Sequence, residues 1–234
     1  MRQIITQHGW GLDQNFWGIY KVEFQRNNWN WQDNDRGYFS KNPTESKWIT
    51  NKSDKQTKMI LCHSLGLHLI RKKLFKEATH IVFINSFNNF LPLGKKRNLI
   101  LRSLKRMENK ISKSETEDIL KEFIDRSFRP NYLNADFKNN FYRNLKNLNK
   151  SLLLEDLKKL YKDGIFPEII SKNCKIIFIR SENDLILDKD SSKNFLEFLR
   201  KIFANNLTLI ELPDQGHCLT NFNLYETINN SLVN

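Results

Sequence analysis

The sequence predicts an α/β domain built on a mostly parallel sheet, and three observations carry that prediction. Short runs rich in Ile, Val and Phe recur along the 234 residues. Several of them are apolar without alternation, as expected of strands covered on both faces. Helical patterns follow three of them, and strands alternating with helices imply parallel crossovers. In chain order the runs are "RQIIT" (2–6), a weaker "NWNWQD" (28–33), "KMILC" (58–62), "HIVFIN" (80–85), "CKIIFIR" (174–180) and "LTLIEL" (207–212). The helical patterns lie at 65–76, 189–204 and 220–232.

Between the fourth and fifth of the main runs the pattern changes. From Gly94 to Asp163 no strand pattern occurs, but helix signals do. "SETEDILKEFIDRSF" reads as a capping box, with Ser114 as N-cap and Glu117 three residues on, followed by Ile119, Leu120, Phe123 and Ile124 on one face. "SLLLEDLKKLYKDG" lines up Leu153, Leu157, Leu160 and Tyr161, with Gly164 as its terminating residue. The expected organisation is therefore a sheet core of 1–93 and 165–234 interrupted by a helical insertion at 94–164.

Composition narrows the class. Hydrophobic residues make up 39%, enough for a sizeable core, and no run approaches the ~20 apolar residues of a membrane span. "MRQIITQHGW" is too short in its apolar part for a secretory signal, so a cytoplasmic, membrane-free protein is expected. Cys62, Cys174 and Cys218 fit neither a disulfide framework nor a zinc site. The 29 Asn against three Ala match an AT-rich coding bias, which accounts for part of the formal charge of +12. The charge is nevertheless uneven: residues 94–163 hold 18 Lys and Arg against 10 Asp and Glu, two thirds of the excess in under a third of the length.

The chemistry centres on "KMILCHSLGLHLIRKKLF". A buried strand runs into an amphipathic helix with Ser64 at the join, the setting of a nucleophile elbow, in which a sharp turn exposes the serine hydroxyl. The turn demands small residues two positions to either side. Gly66 meets this, and Cys62 stands where glycine is usual. "SENDLIL" then places Asp184 after one strand, and "LPDQGHCLT" places His217 after the last. A serine needs a base to remove its proton, and the base needs a partner that fixes its tautomer. Ser64, His217 and Asp184 fit those roles as nucleophile, base and orienting acid. A helix-capping serine, a turn aspartate and a structural histidine are the plain alternatives for each residue taken singly.

Together "HGWGLDQNFW", "CHSLGLHL", "SENDLIL" and "DQGHCLT" resemble the α/β-hydrolase superfamily, and more closely the methyl ester esterases that release pimeloyl-[acyl-carrier protein] in biotin synthesis. The resemblance implies an α/β-hydrolase fold and an oxyanion hole made by the backbone N–H groups of Leu65 and Trp10, with Gly9 and Gly11 shaping the second loop. It implies a lid formed by the insertion, and a serine carboxylesterase acting on an acyl chain brought by acyl carrier protein. Trp10 and Leu65 would then touch substrate, and Arg126, Arg129, Arg143, Lys146 and Lys150 would meet the acidic carrier. No metal or organic cofactor is implied, and a monomer is expected.

The sequence departs from this pattern at Cys62, at Leu67 where another glycine is common, and at "DNDRGYF" (33–39), which replaces the usual proline–glycine turn. It also begins at the position of the third strand, implying a truncated N-terminus without the antiparallel leading strands. A small-acyl esterase or thioesterase of unknown substrate is the alternative within this class. Outside it stands a non-catalytic basic module, disfavoured as a nucleic-acid binder because the aromatics of "NNWNWQDNDRGYF" are interleaved with Asp33 and Asp35.

Overall fold

A computed structural model describes residues 1–40, 42–50, 56–113, 115–162, 164, 166–220 and 222–233. Its centre is a six-stranded sheet of β1 (Arg2–Gln7), β2 (Trp29–Asn34), β3 (Thr57–His63), β4 (His80–Ile84), β5 (Lys175–Ser181) and β6 (Leu207–Leu212). The strands run in the order β2-β1-β3-β4-β5-β6, and every pairing is parallel. Because a parallel sheet is covered on both sides, the apolar runs split with period two between two cores. Ile4, Met59, Leu61, Val82, Ile177 and Ile179 join one cluster. Ile5, Ile60, Cys62, Phe83, Ile176 and Phe178 join the other.

Helix α1 (Gly18–Arg26) follows β1, and the short helices α2 (Gly66–Leu69) and α3 (Lys72–Phe75) follow β3. Between β4 and β5 come α4 (Lys95–Ser112), α5 (Thr116–Phe128), α6 (Ala135–Asn144) and α7 (Lys150–Lys159). Helix α8 (Lys189–Phe203) precedes β6, and α9 (Leu224–Val233) ends the described chain. Helices α4, α5 and α7 bury Leu104, Ile111, Leu120, Ile124, Leu153 and Leu157 in the first cluster. The insertion is thus packed onto the core along a continuous apolar seam.

All six expected strands form, within one or two residues of the expected ends. Local details differ. The helix expected at 65–76 is broken, since Ile70 and Arg71 are extended (ψ 145° and 123°), which lets Ile70, Leu74 and Phe75 all enter the second cluster. Helix α5 begins at Thr116 with Glu115 as its N-cap residue, and Ser114 lies outside the described residues. Glu117 sits instead in the first turn, where an acid suits the positive end of the helix. Helix α7 starts under an Asn149 cap, whose side chain accepts from the Leu152 amide, and stops at Lys159. Gly164 therefore does not terminate it. It lies against the main chain of Asn88, where a Cβ would collide with the carbonyl oxygen.

Candidate active site

The site is assembled at the carboxyl edge of the sheet. At the end of β3 the backbone turns so sharply that Ser64 takes φ 53°, a left-handed conformation that costs an L-residue energy and marks an over-determined turn. The Ser64 amide donates to the Ile84 carbonyl at 2.9 Å, tying the turn to the neighbouring strand. The turn is possible only with small neighbours. A Cβ on Gly66 would approach the Gln7 carbonyl oxygen to 2.5 Å, and one on Gly9 would lie 3.0 Å from Ser64 Cβ.

The three expected residues meet there. His217 Nε2 lies 2.8 Å from Ser64 Oγ, and His217 Nδ1 lies 2.7 Å from Asp184 Oδ2. Asp184 Oδ1 accepts from the Ile186 and Leu187 amides at 2.8 and 2.9 Å, so its second oxygen is held toward the ring. With the carboxylate accepting from Nδ1–H, Nε2 carries the lone pair, and the Ser64 hydroxyl donates to it. Both side chains of the His217–Asp184 pair are nearly sealed from solvent. Such a chain can pull a proton from Ser64 and stabilise the resulting imidazolium.

Two residues whose backbone amides are candidates for an oxyanion hole line the same cavity as Ser64. Leu65 directly follows Ser64, and Trp10 lies in the loop after β1. Among the described residues neither amide donates a hydrogen bond. Gly11 adopts φ 66°, the left-handed bend the loop needs. The loop is held from below by His8, whose Nδ1 donates to the Gly9 carbonyl at 2.8 Å while Nε2 accepts from the Arg36 amide at 3.0 Å. Trp10 itself is buried; its indole donates to the Leu153 carbonyl at 2.8 Å and its ring packs edge-on against Phe123. A cavity of about 550 Å³ opens over Ser64, Trp10 and Leu65 and is walled largely by apolar side chains of α4, α5 and α7.

No protein-family model matches the sequence, and no curated protein does. Solved structures do. A bromoperoxidase from Bacillus anthracis superposes with a TM-score of 0.71 at 14% identity, covering 99% of this chain and 90% of that one. An esterase from Exiguobacterium antarcticum gives 0.69 at 13%, covering 100% and 91%. A carboxylesterase of the thaumarchaeon Nitrososphaera gargenis gives 0.68 at 13%, covering 99% and 90%. The chain has the α/β-hydrolase fold.

In this α/β-hydrolase fold the insertion between β4 and β5 forms one wall of the cavity, and its cations divide between that wall and the outer surface. Of the cations named for substrate and carrier, Arg126 lines the cavity. Arg129 and Arg143 do not. Arg129 follows the end of α5 at the surface, and Arg143 turns back onto its own helix, bonding Asn139 and Asn140. Lys146 is exposed away from the cavity, and Lys150 donates to the Ser112 carbonyl at 3.1 Å. Arg106 and Lys110 of α4 take their place beside Arg126, with Glu122 opposing them. Both lie on the α4 face that also carries Ser103 and Met107, a signal that the helical period contained but that no packing partner had yet oriented.

Cys62 proves compatible with the elbow. Its side chain turns into the second core, away from the cavity, and burial pushes its thiol pKa up, so it stays a neutral filler. Among the described residues no cluster of His, Cys, Asp and Glu could hold a metal ion, and no helix is long and apolar enough to cross a membrane.

Proposed function

We propose that this chain is a serine hydrolase of carboxylic esters. The observation that carries the reading is the Ser64–His217–Asp184 hydrogen-bonded chain, at 2.8 and 2.7 Å, set under an apolar cavity and beside two uncommitted amides. Ser64 Oγ attacks the ester carbonyl carbon as its proton passes to His217 Nε2. The carbonyl oxygen becomes an oxyanion and accepts from the Leu65 and Trp10 N–H groups, which are fixed before the reaction begins. The tetrahedral adduct collapses, the C–O bond to the leaving group breaks, and His217 Nε2–H protonates the departing alcohol. Water then attacks the acyl-enzyme, gives its proton to His217, and the carboxylic acid leaves as Ser64 is re-protonated. The esterase and carboxylesterase among its structural neighbours agree with this class.

Within that class the substrate is the methyl ester of an acyl chain carried on acyl carrier protein, as the sequence resemblance to pimeloyl-[acyl-carrier protein] methyl ester esterases implies. The apolar walls suit the chain, the small leaving group is methanol, and Arg106, Lys110 and Arg126 supply cations for an acidic carrier. The decisive experiment for the class is turnover of a p-nitrophenyl ester by the full chain and by Ser64→Ala. A loss on the order of 10⁴ to 10⁶ in kcat is expected, and unchanged turnover removes Ser64 from the chemistry.

A further inference from the structure

One oxygen atom, the main-chain carbonyl of His217, collects hydrogen bonds from the residue before Ser64 and from a residue that also grips the strand leading to Asp184. His63, the residue before Ser64, lies with Nε2 2.9 Å from it. Asn85, just past β4, donates to it from one Nδ2 hydrogen at 2.8 Å, a hydrogen shared with the Gly216 carbonyl at 3.2 Å. The same Asn85 side chain grips the end of β5, three residues before Asp184: Nδ2 donates to Ser181 Oγ at 2.9 Å, and Oδ1 accepts from the Ser181 amide at 2.8 Å. Both side chains are buried. Asn85 sits at φ 44°, a left-handed conformation that asparagine tolerates better than most residues. The serine turn, the aspartate loop and the histidine loop are thereby fastened to a single point.

We propose that His63 and Asn85 are positioning residues that hold the His217 imidazole in register between Ser64 and Asp184. This rests on the reading of Ser64 as nucleophile and His217 as base. His63 serves as a neutral donor. Its Nε2–H faces the carbonyl, its Nδ1 is buried against Gly9 with no hydrogen-bond partner among the described residues, and its ring lies 4.9 Å from that of His217. Burial and the neighbouring His217 hold its pKa well below the usual histidine value, so no second charge opposes the imidazolium that forms beside it. A glycine at position 9 is what leaves room for this ring, so the oxyanion loop and the histidine clamp share one close contact.

The test compares His63→Phe, which keeps the ring's bulk and loses the donor, with His63→Gln, whose amide nitrogen reaches the place of Nε2, and with Asn85→Gly, which keeps the backbone conformation and removes the clamp. Turnover of a p-nitrophenyl ester and the second-order rate of Ser64 labelling by a fluorophosphonate are measured on the full chain, with folding checked by thermal melts. His63→Phe and Asn85→Gly are expected to lower both rates about 10- to 100-fold, the scale of a misplaced catalytic group. KM should stay within about twofold, and His63→Gln should recover most of the loss. Folded His63→Phe with both rates at the parent level overturns the proposal, as does a loss that His63→Gln fails to recover. If Asn85→Gly does not fold, the His63 pair decides alone. Activity surviving in Ser64→Ala would instead sink the serine mechanism. A dead Ser64→Ala beside a fully active His63→Phe would sink only the clamp.

Discussion

Cys62 stands where the nucleophile turn usually has glycine, and its surroundings explain why that is tolerated. The residue is completely buried beside Ile60, Phe75 and Phe83, on the face of the sheet away from the inserted helices. Restoring glycine would empty that space and loosen the strand. Cys62→Gly is expected to cost about 1–3 kcal/mol, a small cavity plus the extra backbone entropy of glycine, and to leave kcat within about threefold. Thermal unfolding and ester turnover check the two halves separately. A rise in kcat would mean that the thiol obstructs the turn. At this scale the sequence was informative wherever chemistry and strand ends coincide, as at Ser64, Asp184 and His217. Asn85 follows a strand too, but an asparagine there is also an ordinary turn residue, and only the Ser181 hydroxyl and the Gly216 and His217 carbonyls, 96 to 132 positions away, give it a role.

The elements show where local pattern stops being sufficient. The parallel strands were legible because burial on both faces leaves uninterrupted apolar runs. Helix α1 was not, since it buries only Tyr20 and Phe24 and leaves Ile19 and Val22 largely exposed, so its apolar residues trace no clean stripe. The "DNDRGYF" segment, legible only as a departure from the hydrolase pattern, turns out to anchor the insertion. Fully buried Asp156 of α7 accepts from Arg36 Nε at 2.6 Å, from Arg36 NH2 at 3.0 Å and from the Tyr38 hydroxyl at 2.7 Å, and it also pairs with Lys159. Burial alone would raise the Asp156 pKa, but the bonds from Arg36, Lys159 and Tyr38 outweigh it and hold the carboxyl below its usual value. A carboxyl with a depressed folded pKa stabilises the fold above its unfolded value of about 4 and loses that contribution as pH falls through the folded value. Asp156→Asn is therefore expected to lower stability by ~2–4 kcal/mol near neutral pH, somewhat less than for a fully sealed pair because Arg36 keeps partial hydration. The deficit should shrink below pH 4. Urea midpoints measured from pH 7 to pH 3 for both proteins check this, and a constant difference across that range would mean that the carboxylate charge contributes nothing.

At the scale of the molecule the charge distribution is the feature that separates the two substrate readings within the esterase class. Eight of the twelve excess positive charges lie between Gly94 and Asp163, in the segment that folds as α4–α7 over the cavity. The sequence located that excess and named Arg126, Arg129, Arg143, Lys146 and Lys150 for the carrier, but it could not say which helix faces turn inward, and the structure lines the cavity with Arg106, Lys110 and Arg126. Outward cations act at long range, raising the local concentration of an acidic partner, and their effect is screened over a Debye length of about 10 Å at 0.1 M salt. Cations at the cavity would act directly on a charged arm bound there, and would be screened less. An acyl ester delivered by acidic carrier protein should therefore lose about tenfold or more in kcat/KM between ~0.05 and ~0.5 M salt, whereas a neutral p-nitrophenyl ester should change by less than about twofold. Arg106→Glu combined with Arg126→Glu should raise KM for the carrier-borne ester and flatten its salt dependence while sparing the small ester. Equal losses on both substrates would leave the serine chemistry intact and remove the carrier, because a charge effect that ignores the charge of the substrate is acting on the fold of α4 and α5 and not on recognition.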